Sequence, residues 1–227
     1  MKALLKLSPV ILLLFTASCG NYVYKATSMR TVMLKEKNDV AAQWNASNAG
    51  TEVFAAYAPI NYLAFSAGYA FKKDTSAALR TRFHDIEFSA IPFYAKNRLR
   101  LEMPMGFAYT SRSSLDNAFP TFQPYSRFYV QPAVGFSWDY FDVAIQYRMT
   151  FIDYQNAAYK QDVRSQFGFM LRAGVKNVKV MAQFSVDEGT NNSNLVDYFP
   201  SHLSVGLNFY FNASTAFKSK PKPKTAN

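Results

Sequence analysis

Charged side chains that could do chemistry in this sequence recur at alternate positions within otherwise apolar runs. Successive side chains of an extended chain point to opposite faces, so residues two apart share a face. The runs therefore gather acids and bases on one side, where they can pair with each other or line a passage for ions. The residues of this set, here called the alternating charges, are Asp85, Glu87, Arg98, Arg100, Glu102, Asp142, Arg148, Arg172, Lys179 and His202.

The clearest alternation lies between Arg127 and Ile152, in two runs that meet at a reversal at Asp139-Tyr140. The apolar faces hold Phe128, Val130, Pro132, Val134, Phe136 and Trp138 in the first run, and Phe141, Val143, Ile145, Tyr147, Met149 and Phe151 in the second. Each run has about 12 residues, against roughly 5–6 for a typical soluble strand. This length suits the ~9–11 residues with which a tilted strand crosses a bilayer.

Composition points the same way. Hydrophobic residues make up 49% of the chain, yet the mean hydropathy is only -0.13, because each lipid-facing residue of such a strand is averaged with a polar inward one. Aromatic residues reach 17%, as in the interfacial girdles of membrane barrels. The sequence predicts an all-β fold, a transmembrane antiparallel up-and-down β-barrel. An aromatic-rich soluble β-sandwich is the alternative.

Ten strand-like runs can be counted along the chain. They lie near 39–46, 51–58, 61–71, 82–95, 97–110, 126–138, 140–152, 164–175, 177–186 and 201–211. Short reversals alternate with longer polar connections, which is the topology of an outer-membrane barrel with short periplasmic turns and long outer loops. An eight-stranded barrel is the alternative if residues 39–58 do not form two strands. Pro104 and Pro132 should cause bulges or mark strand ends near the rim, because proline removes a ladder hydrogen bond.

The N-terminus carries the features of a secretory signal peptide. Lys2 and Lys6 precede an apolar stretch, and small residues follow directly before Cys19, the only cysteine. This arrangement resembles the lipobox of bacterial lipoproteins, although Thr16 stands where Leu is usual. The resemblance implies cleavage before Cys19 and acylation, including palmitate, of the new terminus. Ordinary cleavage that leaves a free thiol is the alternative.

The last strand carries a second family resemblance. Ser204, Gly206, Phe209 and Phe211 resemble the β-signal through which the barrel-assembly machinery recognises its clients: a polar residue, a glycine and two alternate aromatics. Beyond it, Lys alternates with Pro and Ser between residues 217 and 224, which favours an extended, solvated tail. This tail is either a disordered end or a contact for peptidoglycan or a periplasmic protein.

Other classes of function find little support. The net charge of +10 resides largely in the signal peptide and the tail, and no nucleic-acid-binding motif is present. His84 and His202 lie in no metal-ligand spacing, and no GxSxG elbow occurs. His84-Asp85 superficially resembles the rim residues of omptin-type proteases, but no second acidic pair accompanies it. We predict no enzyme activity, no metal, no cofactor and no nucleic-acid partner.

The chain as a whole resembles the small outer-membrane β-barrel lipoproteins of diderm bacteria. The predicted domains are a signal peptide (1–18), a lipidated tether (19–37), the barrel (38–211) and a basic periplasmic tail (212–227). The resemblance implies location in outer-membrane lipid, with both barrel ends periplasmic. Three functions stay open: a structural or surface-interaction barrel acting through its loops, a small porin-like channel for small solutes or anions, and a rim hydrolase.

Overall fold

The computed structural model describes residues 27–47, 50–74, 81–114, 124–156, 159–189 and 201–216. Within these residues, ten antiparallel strands close into one barrel. The strands are β1 (Asp39–Ser47), β2 (Gly50–Ile60), β3 (Leu63–Asp74), β4 (Thr81–Lys96), β5 (Leu99–Glu102 and Met105–Ser114), β6 (Tyr125–Val130 and Ala133–Ser137), β7 (Phe141–Asn156), β8 (Tyr159–Val175), β9 (Val178–Gly189) and β10 (Ser201–Asn212). A short helix, α1 (Ala213–Ala216), follows. No helix among the described residues is long and apolar enough to span a membrane.

Each strand pairs with the next along the chain, and β10 pairs with β1 to close the cylinder. β1 also pairs with β2 from Val40 opposite Tyr57 to Ser47 opposite Gly50. The prediction of ten strands, rather than eight, is confirmed. Tight reversals after β2, β4, β6 and β8 define the short-turn end of the barrel, where β1 begins and β10 finishes. The opposite mouth is the loop end.

The two faces of the strands divide as the alternation predicts. Phe128 and Ile145 point outward with 46% and 48% of their surface exposed, whereas Arg148 and Arg172 point inward and are 1% exposed. A soluble sandwich would place these residues the other way round, so that alternative is excluded. An exterior of exposed aromatic and aliphatic side chains around a charged interior is the surface a transmembrane barrel presents to lipid.

Two neighbouring strands break at prolines, and a third proline lies beside them on the adjacent strand. β5 breaks at Pro104 and β6 breaks at Pro132, next to Pro92 of β4. Carbonyls of these prolines accept across the gap, including Pro104 O from Gln131 N at 2.8 Å. The same register resumes on both sides. The expectation of bulges or of strand ends at the rim was wrong, because paired breaks on adjacent strands accommodate the missing donors without inserting a residue.

The predicted assembly residues lie on β10, the strand that pairs with β1 and closes the barrel. Ser204 and Gly206 face inward on β10, and Phe209 and Phe211 face outward. A Cβ on Gly206 would collide with the backbone of β1 at Trp44 and with the side chain of Asn45. Glycine therefore allows the last strand to approach the first closely.

A charged residue introduced on the outer face should destabilise the barrel if that face is in contact with lipid hydrocarbon. Ile145 lies near the middle of the outward apolar run of β7, which extends from Phe141 to Phe151. We expect Ile145→Arg to lower the free energy of unfolding in lipid vesicles by ~2–4 kcal/mol. Ile60→Arg at the short-turn end is the matched control, with an expected loss of ~0–1 kcal/mol near the interface. Equal small losses at both positions, measured by guanidinium unfolding, would contradict a membrane-embedded exterior.

Candidate functional site in the barrel lumen

A stretch of chain that is not a strand fills the interior of the barrel. Residues 27–34, here called the lumen segment, are all buried, with no side chain more than 4% exposed. The sequence interpretation treated residues 21–37 as part of a tether between lipid and barrel. For residues 27–34 the structure differs, because they lie inside the cylinder and contact its walls. The tether could not be recognised as lumen filling because these residues have no sustained periodicity.

Side chains of the barrel wall supply the hydrogen bonds that a neighbouring strand would otherwise give to the backbone of the lumen segment. Buried backbone amides need hydrogen-bond partners, and the wall supplies them. Ser28 N donates to Glu52, Arg30 N donates to Gln131 Oε1 at 3.0 Å, and Val32 N and Leu34 N donate to Glu102 at 2.9 and 2.8 Å. Gln131 Nε2 in turn donates to Arg30 O at 2.9 Å. Wall carboxylates and amides thus hold the backbone of the lumen segment in a fixed position.

Arginines of the wall satisfy the carbonyl oxygens of the segment. Arg148 Nη2 donates to Ser28 O at 3.3 Å, and its Nη1 donates to Thr27 Oγ1 at 3.0 Å. Arg172 donates to Val32 O at 3.2 Å and also to Thr31 O. Arg148 further stacks over the ring of Tyr129, with its Cζ 4.6 Å from the centroid. These two arginines therefore hold the lumen segment through its backbone.

Arg30 is the charge at the centre of the lumen. Its Nη1 lies 2.8 Å from Glu52 Oε2, and its Nε lies 3.2 Å from Glu87 Oε1. Arg127 joins the same network, with Nη2 2.6 Å from Asp85 and 3.1 Å from Glu87. All of these groups are buried. Buried charges are tolerated only when they are paired. Arg30 of the lumen segment therefore supplies the positive charge that pairs with Glu52 and Glu87 of the wall.

A second group of charges lies toward the short-turn end. Lys179 Nζ is 2.8 Å from Asp142 Oδ1, and Arg172 Nη1 is 3.9 Å from Asp142 Oδ2. Arg100 is buried beside them and donates to the carbonyls of Asn97 and Leu99, both at 2.8 Å. This group lines a vestibule of about 690 Å³ at the short-turn end, and Val32 and Met33 of the lumen segment also line it.

Nine of the ten alternating charges lie inside the barrel. The buried ones are Asp85, Glu87, Arg100, Glu102, Asp142, Arg148, Arg172, Lys179 and His202. Arg98 is exposed beside the turn that joins β4 and β5, with its guanidinium over the ring of Trp138. The inward alternation fails there because Arg98 lies in the turn, one residue before β5 starts.

Three central residues were missed as site residues from the sequence. Glu52 and Arg127 both lie on faces that the alternation predicts to be inward, so the signal was present for them. Arg30 gave no signal, because its segment pairs with no strand and is buried on every side. An alternation of polar and apolar residues arises only where the two faces of a segment have different surroundings.

The two histidines have different surroundings. His84 faces outward near the loop end, where its Nδ1 lies 2.6 Å from Tyr69 Oη and its ring contacts Phe71. Asp85 faces inward, so this pair lies on opposite sides of β4. His202 is buried, and its Nε2 lies 3.1 Å from Ser28 Oγ. Among the described residues, no group of His, Cys, Asp and Glu could hold a metal ion.

Several sequence predictions fall outside the described residues. These are the signal peptide, Cys19, the first part of the predicted tether and the tail from residue 217 onward. The tips of the long loops are also outside them. The beginning of the predicted tail is described and forms the end of β10 and the helical turn α1.

Comparison with known proteins yields no family. No family model and no curated protein matches the chain. Three similar solved structures are described as a bacterial polysaccharide outer membrane secretin (10% identity, TM-score 0.46, 75% of this chain and 57% of that chain), the N-terminal β-barrel domain of Pseudomonas aeruginosa OprF (12%, 0.39, 78% and 100%) and an anion-selective porin from Comamonas acidovorans (16%, 0.36, 71% and 48%). The chain thus spans 57% of the length of the first structure. At these identities the likeness concerns the barrel fold alone.

Proposed function

We propose that this protein is an outer-membrane barrel whose lumen is closed by its own chain and whose work is done at the surface, as a structural or interaction module. The observation that carries this is the lumen segment, held by wall side chains along its length and paired through Arg30 to two buried carboxylates. A lumen built for transport would leave a polar passage free. Here the chain itself engages polar groups of the wall, among them those of Glu52, Glu102, Gln131, Arg148 and Arg172.

The porin-like alternative has less support. The vestibule at the short-turn end is lined by charged residues, but Val32 and Met33 also line it and the lumen segment continues behind them. A hydrolase at the rim has less support still, because His84 and Asp85 face opposite sides of their strand. The long connections at the loop end, from Ser111 to Tyr125 and from Asp187 to Pro200, are the surfaces we assign to partner contact.

The remaining parts of the proposal come from the sequence. We assign Cys19 as the acylated anchor because a small-residue cleavage site precedes the only cysteine. The barrel-assembly machinery is assigned as a partner through β10, whose Phe209 and Phe211 project outward on the strand that closes the barrel. The basic tail is assigned to an anionic periplasmic partner such as peptidoglycan, since four lysines lie within residues 218–224.

Single-channel recording in planar bilayers tests the closed lumen. We expect the folded mature chain to pass no measurable current, because the lumen segment and the buried ion pairs occupy the interior of the barrel. A refolded porin in the same bilayer is the positive control. Regular current steps from the full chain would overturn this function and favour the channel.

A further inference from the structure

The lumen segment has a defined direction, and its C-terminal end lies at the short-turn end. The backbone amides of Lys35 and Glu36 each donate to Asp39 Oδ2 at 2.8 Å. Asp39 is the first residue of β1 and lies opposite Asn212, the last residue of β10. The chain therefore passes from the lumen segment into the barrel wall at the mouth where the short turns are.

The N-terminal end of the segment lies toward the other mouth. Ser28 N donates to both carboxylate oxygens of Glu52 at 3.0 and 3.1 Å, and Ser28 Oγ contacts His202. Glu52 is the third residue of β2 and His202 is the second residue of β10, so both lie at the loop end. The seven residues from Ser28 to Leu34 span at most ~20 Å, the length of six extended steps, and the positive φ of Met33 (64°) makes the actual span shorter.

Wall side chains close around the beginning of the lumen segment. Thr27 and Ser28 are completely buried. Arg127 and Arg148 close on the hydroxyl of Thr27 at 3.3 and 3.0 Å. A chain that turned back here would have to displace these arginines and break the ion pairs of Arg127.

We propose that the protein is threaded through its own barrel, so that the chain before Thr27 leaves at the loop end while the tail after α1 leaves at the short-turn end. The two termini then lie on opposite sides of the membrane. The sequence had placed both barrel ends, and the anchor with them, on the periplasmic side. The strand ends are indeed together, but the lumen segment carries the N-terminus across.

Threading also changes the side of the membrane on which the lipid anchor lies. This step rests on the proposed function, which assigns the anchor to Cys19. The nine residues from Cys19 to Thr27 are joined by eight steps and reach at most ~26–29 Å, which is enough to pass from the loop mouth to the adjoining lipid surface. An acyl group on Cys19 would then enter the leaflet at the loop end, next to the surfaces assigned to partner contact.

Cysteine labelling on cells tests the threading. Residues 1–18 are replaced by a signal peptide that is cleaved without lipidation, and Cys19 is replaced by Ser, so that each variant carries one cysteine. The variants are Asn21→Cys before the lumen segment, Asn194→Cys in the last long loop and Lys220→Cys in the tail. A membrane-impermeant maleimide is added to intact or lysed cells, and a heat-modifiability gel verifies that each variant is folded.

We expect Asn21→Cys to label as fully as Asn194→Cys in intact cells, with Lys220→Cys labelled only after lysis. Labelling of Asn21→Cys on the same side as Lys220→Cys would overturn the threading, whichever mouth faces outward. An error in the proposed outer-membrane orientation would give a different result. Lys220→Cys would then label in intact cells, and Asn194→Cys would label only after lysis.

Discussion

Replacing Arg30 by Ala should destabilise the folded barrel by about 3–5 kcal/mol, the usual cost of removing one partner from a buried ion pair. Arg30 bridges Glu52 and Glu87, and all three side chains are buried. Without the guanidinium, Glu52 keeps its hydrogen bonds from Ser28 N but loses its closest cation. The measurement is the free energy of unfolding from denaturant titration in detergent micelles.

Two further variants make the Arg30 result specific. Arg98→Ala removes an exposed guanidinium at the short-turn end, and its effect should stay within the ~0.5 kcal/mol typical of surface changes. Glu52→Gln in the Arg30→Ala background should recover part of the loss, because a neutral amide can still accept from Ser28 N without being a buried charge. An Arg30→Ala protein as stable as the Arg98→Ala protein would show that the lumen segment does not occupy this position.

Removing the lumen segment should convert a silent barrel into a conducting one. A chain that begins at Lys35 lacks the whole lumen segment. Wall side chains such as Glu102, Gln131 and Arg148 then lose the partners that the segment supplied. Water can enter a polar, roomy cavity and satisfy such groups. Single-channel recordings should therefore show regular current steps that the complete mature chain lacks.

The matched control for this deletion retains the segment. A chain that begins at Thr27 loses residues 19–26 but keeps residues 27–34, and it should stay silent. A heat-modifiability gel shows whether each barrel has folded before it is recorded. A folded chain from Lys35 that passes no current would mean that the wall charges alone close the barrel, and the role given to the lumen segment would be wrong.

The barrel could be predicted from the sequence because each strand has two contrasting environments. Lipid on one side and charge on the other impose period two, so the ten strands and the direction of Ile145 or Arg148 follow from alternation. Arg98 shows the limit of that reasoning, because the alternation was carried into a turn where faces are no longer defined. Pro104 and Pro132 were recognised as interruptions, but the paired repair on adjacent strands needs the register.

The centre of the site could not be predicted in the same way. Residues 27–34 are enclosed on all sides and bond to side chains from several strands. No repeat of polar and apolar positions results from such an environment. Glu52 and Arg127 lay on predicted inward faces, yet nothing local distinguishes a residue that contacts a lumen segment from one that contacts its neighbour across the barrel. The closed lumen is a tertiary property.

One crosslink tests most directly whether residues 27–34 run through the barrel toward the loop end. In a Cys19→Ser background, Ser28→Cys combined with His202→Cys places thiols on two residues whose hydroxyl and imidazole are now in contact at 3.1 Å. Because a cysteine is shorter than the imidazole, a short bifunctional methanethiosulfonate bridges the two thiols. Ser28→Cys combined with Asn208→Cys is the control, since Asn208 is also buried on β10 but six residues away, or ~20 Å along the strand. With this reagent we predict a crosslink, seen as a reducible mobility shift, for the first pair and none for the second. Crosslinking of the Asn208 pair instead, or of neither pair in folded protein, would contradict the threaded and closed lumen.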